Sequence, residues 1–219
     1  MARIAEDLLL LLLDNPAAQP GLGRRRRGSA LAAALLLDLA LGCRVRPALP
    51  GDPAPPGHLL ALSGPVPLDP AVRPALELLQ RGPLRPAAAV ARLRGRAEDD
   101  VLDQLLRTGQ LHQVSLTAHR LRRNTYRWPL TDPARVGRVR AALAATLFEH
   151  RRPDPVTAAL ADLLGAVDGF PAVLALDAAG MQYANARAAE IASGQWADGS
   201  DTAARNLAVT AAAVLPALG

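Results

Sequence analysis

The stretch "GLGRRRRGSALAAALLLDLALGCRV", Gly21 to Val45, decides the fold. Its second half is apolar at almost every position, with Asp38 as the one interruption. A helix of this kind has no solvent face to offer, so it belongs at the centre of a core and other helices must surround it. Ser29 reads as an N-cap for a helix from about Ala30 to Leu41, closed by Gly42. The first half sets Arg24 to Arg27 just ahead of that helix, where unpaired backbone N–H groups favour anions.

Working outward, the segments that must cover such a helix are also helical in character. "LLLLLL", Leu8 to Leu13, follows Glu6 and Asp7, so acidic residues stand where a secretory leader carries positive charge. The run reads as a buried first helix whose early carboxylates suit the positive helix end. "PAVRPALELLQRG" (Pro70–Gly82) opens on Pro and ends on Gly, as helices do. "PAAAVARLRGR" (Pro86–Arg96) and "AEDDVLDQLLRTGQL" (Ala97–Leu111) read as two helices broken near Gly95. Asp132 and Asp154 each precede a further helical segment, and "NARAAEIASGQW" and "TAARNLAVTAAAVLPALG" complete the series. Two β-hairpins are expected. One pairs "GCRVRPAL" with "HLLALSG". The other runs from Leu111 to Leu130, with "HRLRRN" at its tip.

Half of the 219 residues are hydrophobic, but only 3% are aromatic. The core is therefore built from Leu, Ala and Val, and Leu and Ala favour helices. No linker divides the chain. The expected fold is mainly α: a compact single-domain helical bundle, residues 1–219, with a projecting β-hairpin. No segment is long and apolar enough to span a bilayer.

The net charge is +5, and every basic residue other than histidine is arginine. GC-rich coding accounts for the absence of lysine but not for the placement of the arginines. Three clusters stand out: Arg24, Arg25, Arg26 and Arg27; Arg92, Arg94 and Arg96; and Arg120, Arg122, Arg123 and Arg127. Guanidinium forks match phosphate oxygens, so a phosphate-bearing partner is the common denominator. The order helix, turn, helix, hairpin from Pro86 to Leu130 also fits a winged-helix nucleic-acid binder. Glu98, Asp99, Asp100 and Asp103 on its second helix would repel DNA phosphates and argue against that reading. A third reading is an adaptor for a protein cargo or acidic partner.

Catalytic chemistry leaves no mark. The histidines (His58, His112, His119, His150) lack metal-ligand spacing, and the single cysteine, Cys43, has no histidine partner and reads as packing. No nucleophile elbow, P-loop or dinucleotide fingerprint occurs. The expectation is a non-enzyme with no catalytic residues, no metal and no cofactor, in a reducing, cytoplasmic setting.

These segments, in this order, resemble the Golgi phosphoprotein 3 family. "IAEDLLLLLLD" looks like its opening acidic-leucine helix and "SALAAALLLDLALGCRV" its central helix. "VLDQLLRTGQL" and "YRWPLTDP" match later elements, while "RRPDPVTAALADLL" and "RAAEIASGQW" are similar to bacterial members in particular. The resemblance implies a peripheral membrane protein that binds phosphatidylinositol 4-phosphate or other anionic headgroups. In the family a tryptophan falls near Gly23 and an arginine near Ala32, and neither is kept here. An arginine pair falls near Gly95 and Glu98, which brings Arg94 and Arg96 forward. The headgroup-binding candidates are thus Arg24, Arg25, Arg26, Arg27, Arg94 and Arg96. The membrane-contacting candidates are Arg120, Leu121, Arg122 and Arg123.

Overall fold

The structure, a computed structural model, describes residues 3–64, 69–116 and 125–219. It is mainly α. The helices are α1 (Arg3–Leu13), α2 (Arg24–Leu41), α3 (Arg73–Gln80), α4 (Pro86–Leu93), α5 (Ala97–Arg107), α6 (Pro133–Phe148), α7 (Pro155–Ala166), α8 (Phe170–Val173), α9 (Ala178–Ala192) and α10 (Thr202–Val214). Two short 3-10 helices (Gln195–Ala197 and Leu215–Ala217) and two short antiparallel hairpins complete the described elements. In one, β1 (Val45–Pro47) pairs with β2 (Leu59–Ala61), with Arg46 opposite Leu60. In the other, β3 (Val114–Leu116) pairs with β4 (Thr125–Arg127), with Ser115 opposite Tyr126.

α2 is the axis of the molecule. Every residue from Ala30 to Ala40 is buried, and α1, α4, α5, α7 and α10 all pack on it. An all-apolar helix has this single solution, since any uncovered face would leave leucines in water. Leu8 to Leu13 of α1 are buried too, as their sequence requires.

The start of α2 differs from the sequence reading. The helix begins at Arg24 with Gly23 as N-cap and no side-chain cap. Arg24 to Arg27 are therefore its first turn, not a run ahead of it, and Ser29 lies inside. Arginine is a good helix former, so nothing in the run resists being wound. The other end also differs in detail. Gly42 follows the last turn, but its φ is −79°, and the left-handed position falls to Cys43, at φ 51°. There the Cys43 N–H donates to the Ala40 carbonyl (2.9 Å) and the Arg44 N–H to the Leu39 carbonyl (2.7 Å), the Schellman pattern.

Asp38 finds its role in this packing. Its carboxyl accepts the Ile4 N–H (2.9 Å) and the Ala5 N–H (3.0 Å), so a side chain of α2 caps the start of α1. Burial pushes this carboxyl up to about 8, against the pull of those two donors. Glu6 and Asp7 do more than favour a helix end. Both pair with Arg135 of α6, at 2.9 and 2.7 Å.

Aspartates N-cap four of the described helices; the sequence reading marks Asp132 and Asp154, but it starts the segment of α9 at Asn185, whereas the helix begins at Ala178. Asp132 accepts from Ala134 N, Asp154 from Val156 N and Thr157 N, Asp177 from Gly180 N and Asp201 from Ala204 N. At the far end of the chain, the Asn206 side-chain amide of α10 donates to the Ala40 carbonyl (2.7 Å) and the Val45 carbonyl (2.8 Å). This ties α10 across the end of α2 and β1. Among the described residues no helix is long and apolar enough to cross a membrane.

Candidate anion-binding site

The first turn of α2 lies against the corner between α4 and α5. Gly28 makes this possible: a Cβ there would sit 2.6 Å from the Arg94 carbonyl oxygen. Only a residue without a side chain lets the two backbones approach so closely. The approach brings together two clusters separated by more than sixty residues of sequence. A cavity of about 440 Å³ opens there, lined by Arg24, Arg25, Arg94, Gly95, Glu98 and Asp99.

The six candidate arginines divide into two sets. Arg26 faces Asp168 at 3.7 Å, with both side chains well exposed. Arg27 Nε lies 2.9 Å from Glu98 Oε1, but the approach is too bent for a hydrogen bond and charge alone holds the pair. The Arg27 guanidinium also donates to the Leu22 carbonyl. Arg96 grips Asp100 with two hydrogen bonds, of 2.9 and 3.0 Å. Arg24, Arg25 and Arg94 have no such partner: among the described residues no carboxylate comes within ion-pair distance of them. These three, all exposed, line the cavity.

The backbone adds to the attraction. With glycine at the N-cap, no side chain satisfies the N–H groups of the first turn of α2, and these carry the partial positive charge of the helix end. Glu98 and Asp99 on the opposite wall temper it. Their place at the start of α5 looks like ordinary helix-end preference in the sequence. The structure adds that Glu98 is spent on Arg27. The net result is one concavity lined by three arginines, two of them in the uncapped first turn of α2, with Asp99 as the carboxylate left on the opposite wall.

Arg92 is exposed but does not line the cavity. Arg127 is exposed on β4. Arg120, Leu121, Arg122 and Arg123 lie outside the described residues. The base of their hairpin is anchored to the body, where the Trp128 N–H donates to the Ala18 carbonyl at 2.8 Å and the Trp128 ring packs on the core. Among the described residues no group of three or more His, Cys, Asp or Glu side chains is placed to hold a metal ion.

The family profile described as Golgi phosphoprotein 3 (GPP34) matches residues 4–208. The chain belongs to the Golgi phosphoprotein 3 family. No curated protein matches it significantly. In this Golgi phosphoprotein 3 chain, Ala32 is fully buried and does not line the cavity. Gly23 N-caps α2 with open space beside it. The cavity is thus built from the helix start itself and not from those two positions. Gly28 is a signal that the sequence reading, with its helix starting at Ala30, passes over: once Arg24 to Arg27 are wound into α2, a glycine inside the helix marks a close approach.

Proposed function

We propose that this chain is a peripheral membrane protein of the cytoplasm that binds anionic phospholipid headgroups. Its headgroup phosphate sits among Arg24, Arg25 and Arg94. Family membership supports lipid binding in general, with phosphatidylinositol 4-phosphate as the headgroup the family implies. One observation carries the assignment to these residues: three arginines without carboxylate partners share one cavity with an uncapped helix N-terminus. Guanidinium groups and free N–H groups are the two protein features that phosphate oxygens recognise best. The segment joining β3 to β4, with Arg120, Leu121, Arg122 and Arg123, is a second point of membrane contact in this reading. The winged-helix alternative is weaker. α5 buries Ala97, Val101, Leu102 and Leu105 in the core, and its exposed positions are Asp99, Asp103 and Arg107.

Sedimentation with vesicles tests the reading. The probes are phosphatidylcholine alone, with added phosphatidylserine, and with added phosphatidylinositol 4-phosphate. Retention is expected on both anionic preparations. A triple Arg24→Ser, Arg25→Ser, Arg94→Ser variant should lose it, at about 1 kcal/mol per arginine. An Arg26→Ser, Arg96→Ser control should retain most of it, because both side chains are already paired. Failure of the intact chain to bind either anionic vesicle, or equal loss in the control, overturns the proposal. Tight DNA binding with indifference to lipid would restore the nucleic-acid reading.

A further inference from the structure

A second cavity, of about 510 Å³, lies between α7, α9 and the C-terminal end of α10, and shares no residue with the arginine cavity. That volume falls within the range of roughly 300–1,000 Å³ typical of small-molecule sites. Its walls are formed by very small residues, among them Gly165, Ala188 and Ala212. A Cβ on Gly165 would come to 3.1 Å from the Ala188 Cβ, so α7 and α9 are already in contact there.

One wall residue does not belong in such a place. Asp162 lines the cavity yet is only 5% exposed. Its Oδ1 is buried and accepts no hydrogen bond. Its neighbours on α7, Ala161 and Leu163, are fully buried and apolar. A helix packed for stability alone would place an apolar residue there, because a buried carboxyl without a donor is costly. The other polar lining groups are Asp168 and Asn185. No basic side chain lines the cavity among the described residues. The wall offers acceptors, and a ligand must bring the positive charge.

We propose that this cavity is a binding site for small organic amines, with a compact apolar body against the glycine–alanine walls and an ammonium group donating to Asp162. A cation fits better than a neutral donor. Burial raises the Asp162 carboxyl to about 7, and no charged neighbour contributes to that shift. An ammonium ion would provide the missing counter-charge and favour the carboxylate. Around this carboxyl, Asp168 is the other titratable group on the cavity wall. It is exposed and lies 3.7 Å from Arg26. From α9 the wall presents the neutral Asn185, and from α10 and the turn after it only Ala212, Leu215 and Pro216.

Isothermal calorimetry on the intact chain with hexylamine, hexanol and hexanoate tests the site. Hexylamine is expected to bind at least about tenfold more tightly than hexanol, with hexanoate not binding. Near neutral pH its binding should release a fraction of a proton, read from the dependence of the heat on buffer ionisation, because burial raises the Asp162 carboxyl to about 7 and the bound ammonium favours its ionised form. Asp162→Asn keeps the shape and should abolish both the amine preference and the proton release. Ala189→Leu narrows the mouth from an exposed position and should weaken amine and alcohol together. Equal binding of amine and alcohol, absence of proton release, or no hexylamine binding overturns the proposal. So does an Asp162→Asn variant, folded by circular dichroism, that binds hexylamine unchanged. These outcomes are read without lipid, so they stand apart from the headgroup reading.

Discussion

At the scale of single residues, Cys43 and Asp162 each carry an energetic cost that the rest of the chain offsets. Cys43 holds a left-handed backbone at φ 51°, a conformation that costs a residue with a Cβ about 1 kcal/mol. Cys43→Gly should therefore raise stability by about 0.5–1 kcal/mol in a urea titration, by relieving that strain. Asp162 is the second. Its folded pKa is raised from 3.8 to about 7 by burial. Between those values the folded state keeps a proton the unfolded chain has lost. Stability is thus highest below the lower value, falls as pH climbs, and has lost this contribution above about 7. Asp162→Asn should match the parent near pH 4 and exceed it by about 2–4 kcal/mol at pH 8, seen as a flatter pH profile of the melting temperature. Neither cost was visible in sequence. A lone cysteine after a glycine reads as the residue beyond the helix, and an aspartate amid alanines gives no sign of which way it faces.

At the scale of elements, α1 and α6 are joined by one guanidinium shared between two carboxylates. The Arg135 fork reaches Glu6 and Asp7, and burial raises the pKa of both acids even with the arginine present. Removing the cation leaves two largely buried carboxylates facing each other. Arg135→Ala should cost about 3–5 kcal/mol. Arg135→Lys should recover only part of that, since an ammonium cannot grip both acids with a planar fork. Chemical denaturation of the three proteins checks this. Element positions were largely legible, because Pro starts, Asp caps and apolar periodicity act within a few residues. The Asp132 and Asp154 caps fall where the sequence places them. The start of α2 did not, because Ser29 satisfies the local rule for a cap while arginines tolerate being helical. The Glu6–Asp7–Arg135 pairing was out of reach, since it joins residues 128 and 129 positions apart.

For the molecule as a whole, the proposed headgroup binding carries an electrostatic requirement. Retention on anionic vesicles should fall steeply as salt rises through physiological strength, because exposed charges are screened within about 8 Å there. A flat salt response in the sedimentation assay would mean that apolar insertion, not charge, drives attachment. The mainly α architecture could be read from the all-apolar helix and from the family likeness. The division of the arginines into engaged and disengaged sets could not. It depends on which carboxylate each one meets after folding, as Arg27 meets Glu98 and Arg96 meets Asp100.

The Asn206 amide reaches back to the Ala40 and Val45 carbonyls, and α10 covers a flank of α2. The ribosome therefore releases this central, leucine-rich helix more than a hundred residues before its last cover is made. Through most of translation the nascent polypeptide carries a leucine-rich flank without its final shield, a natural target for chaperones that hold unfinished chains.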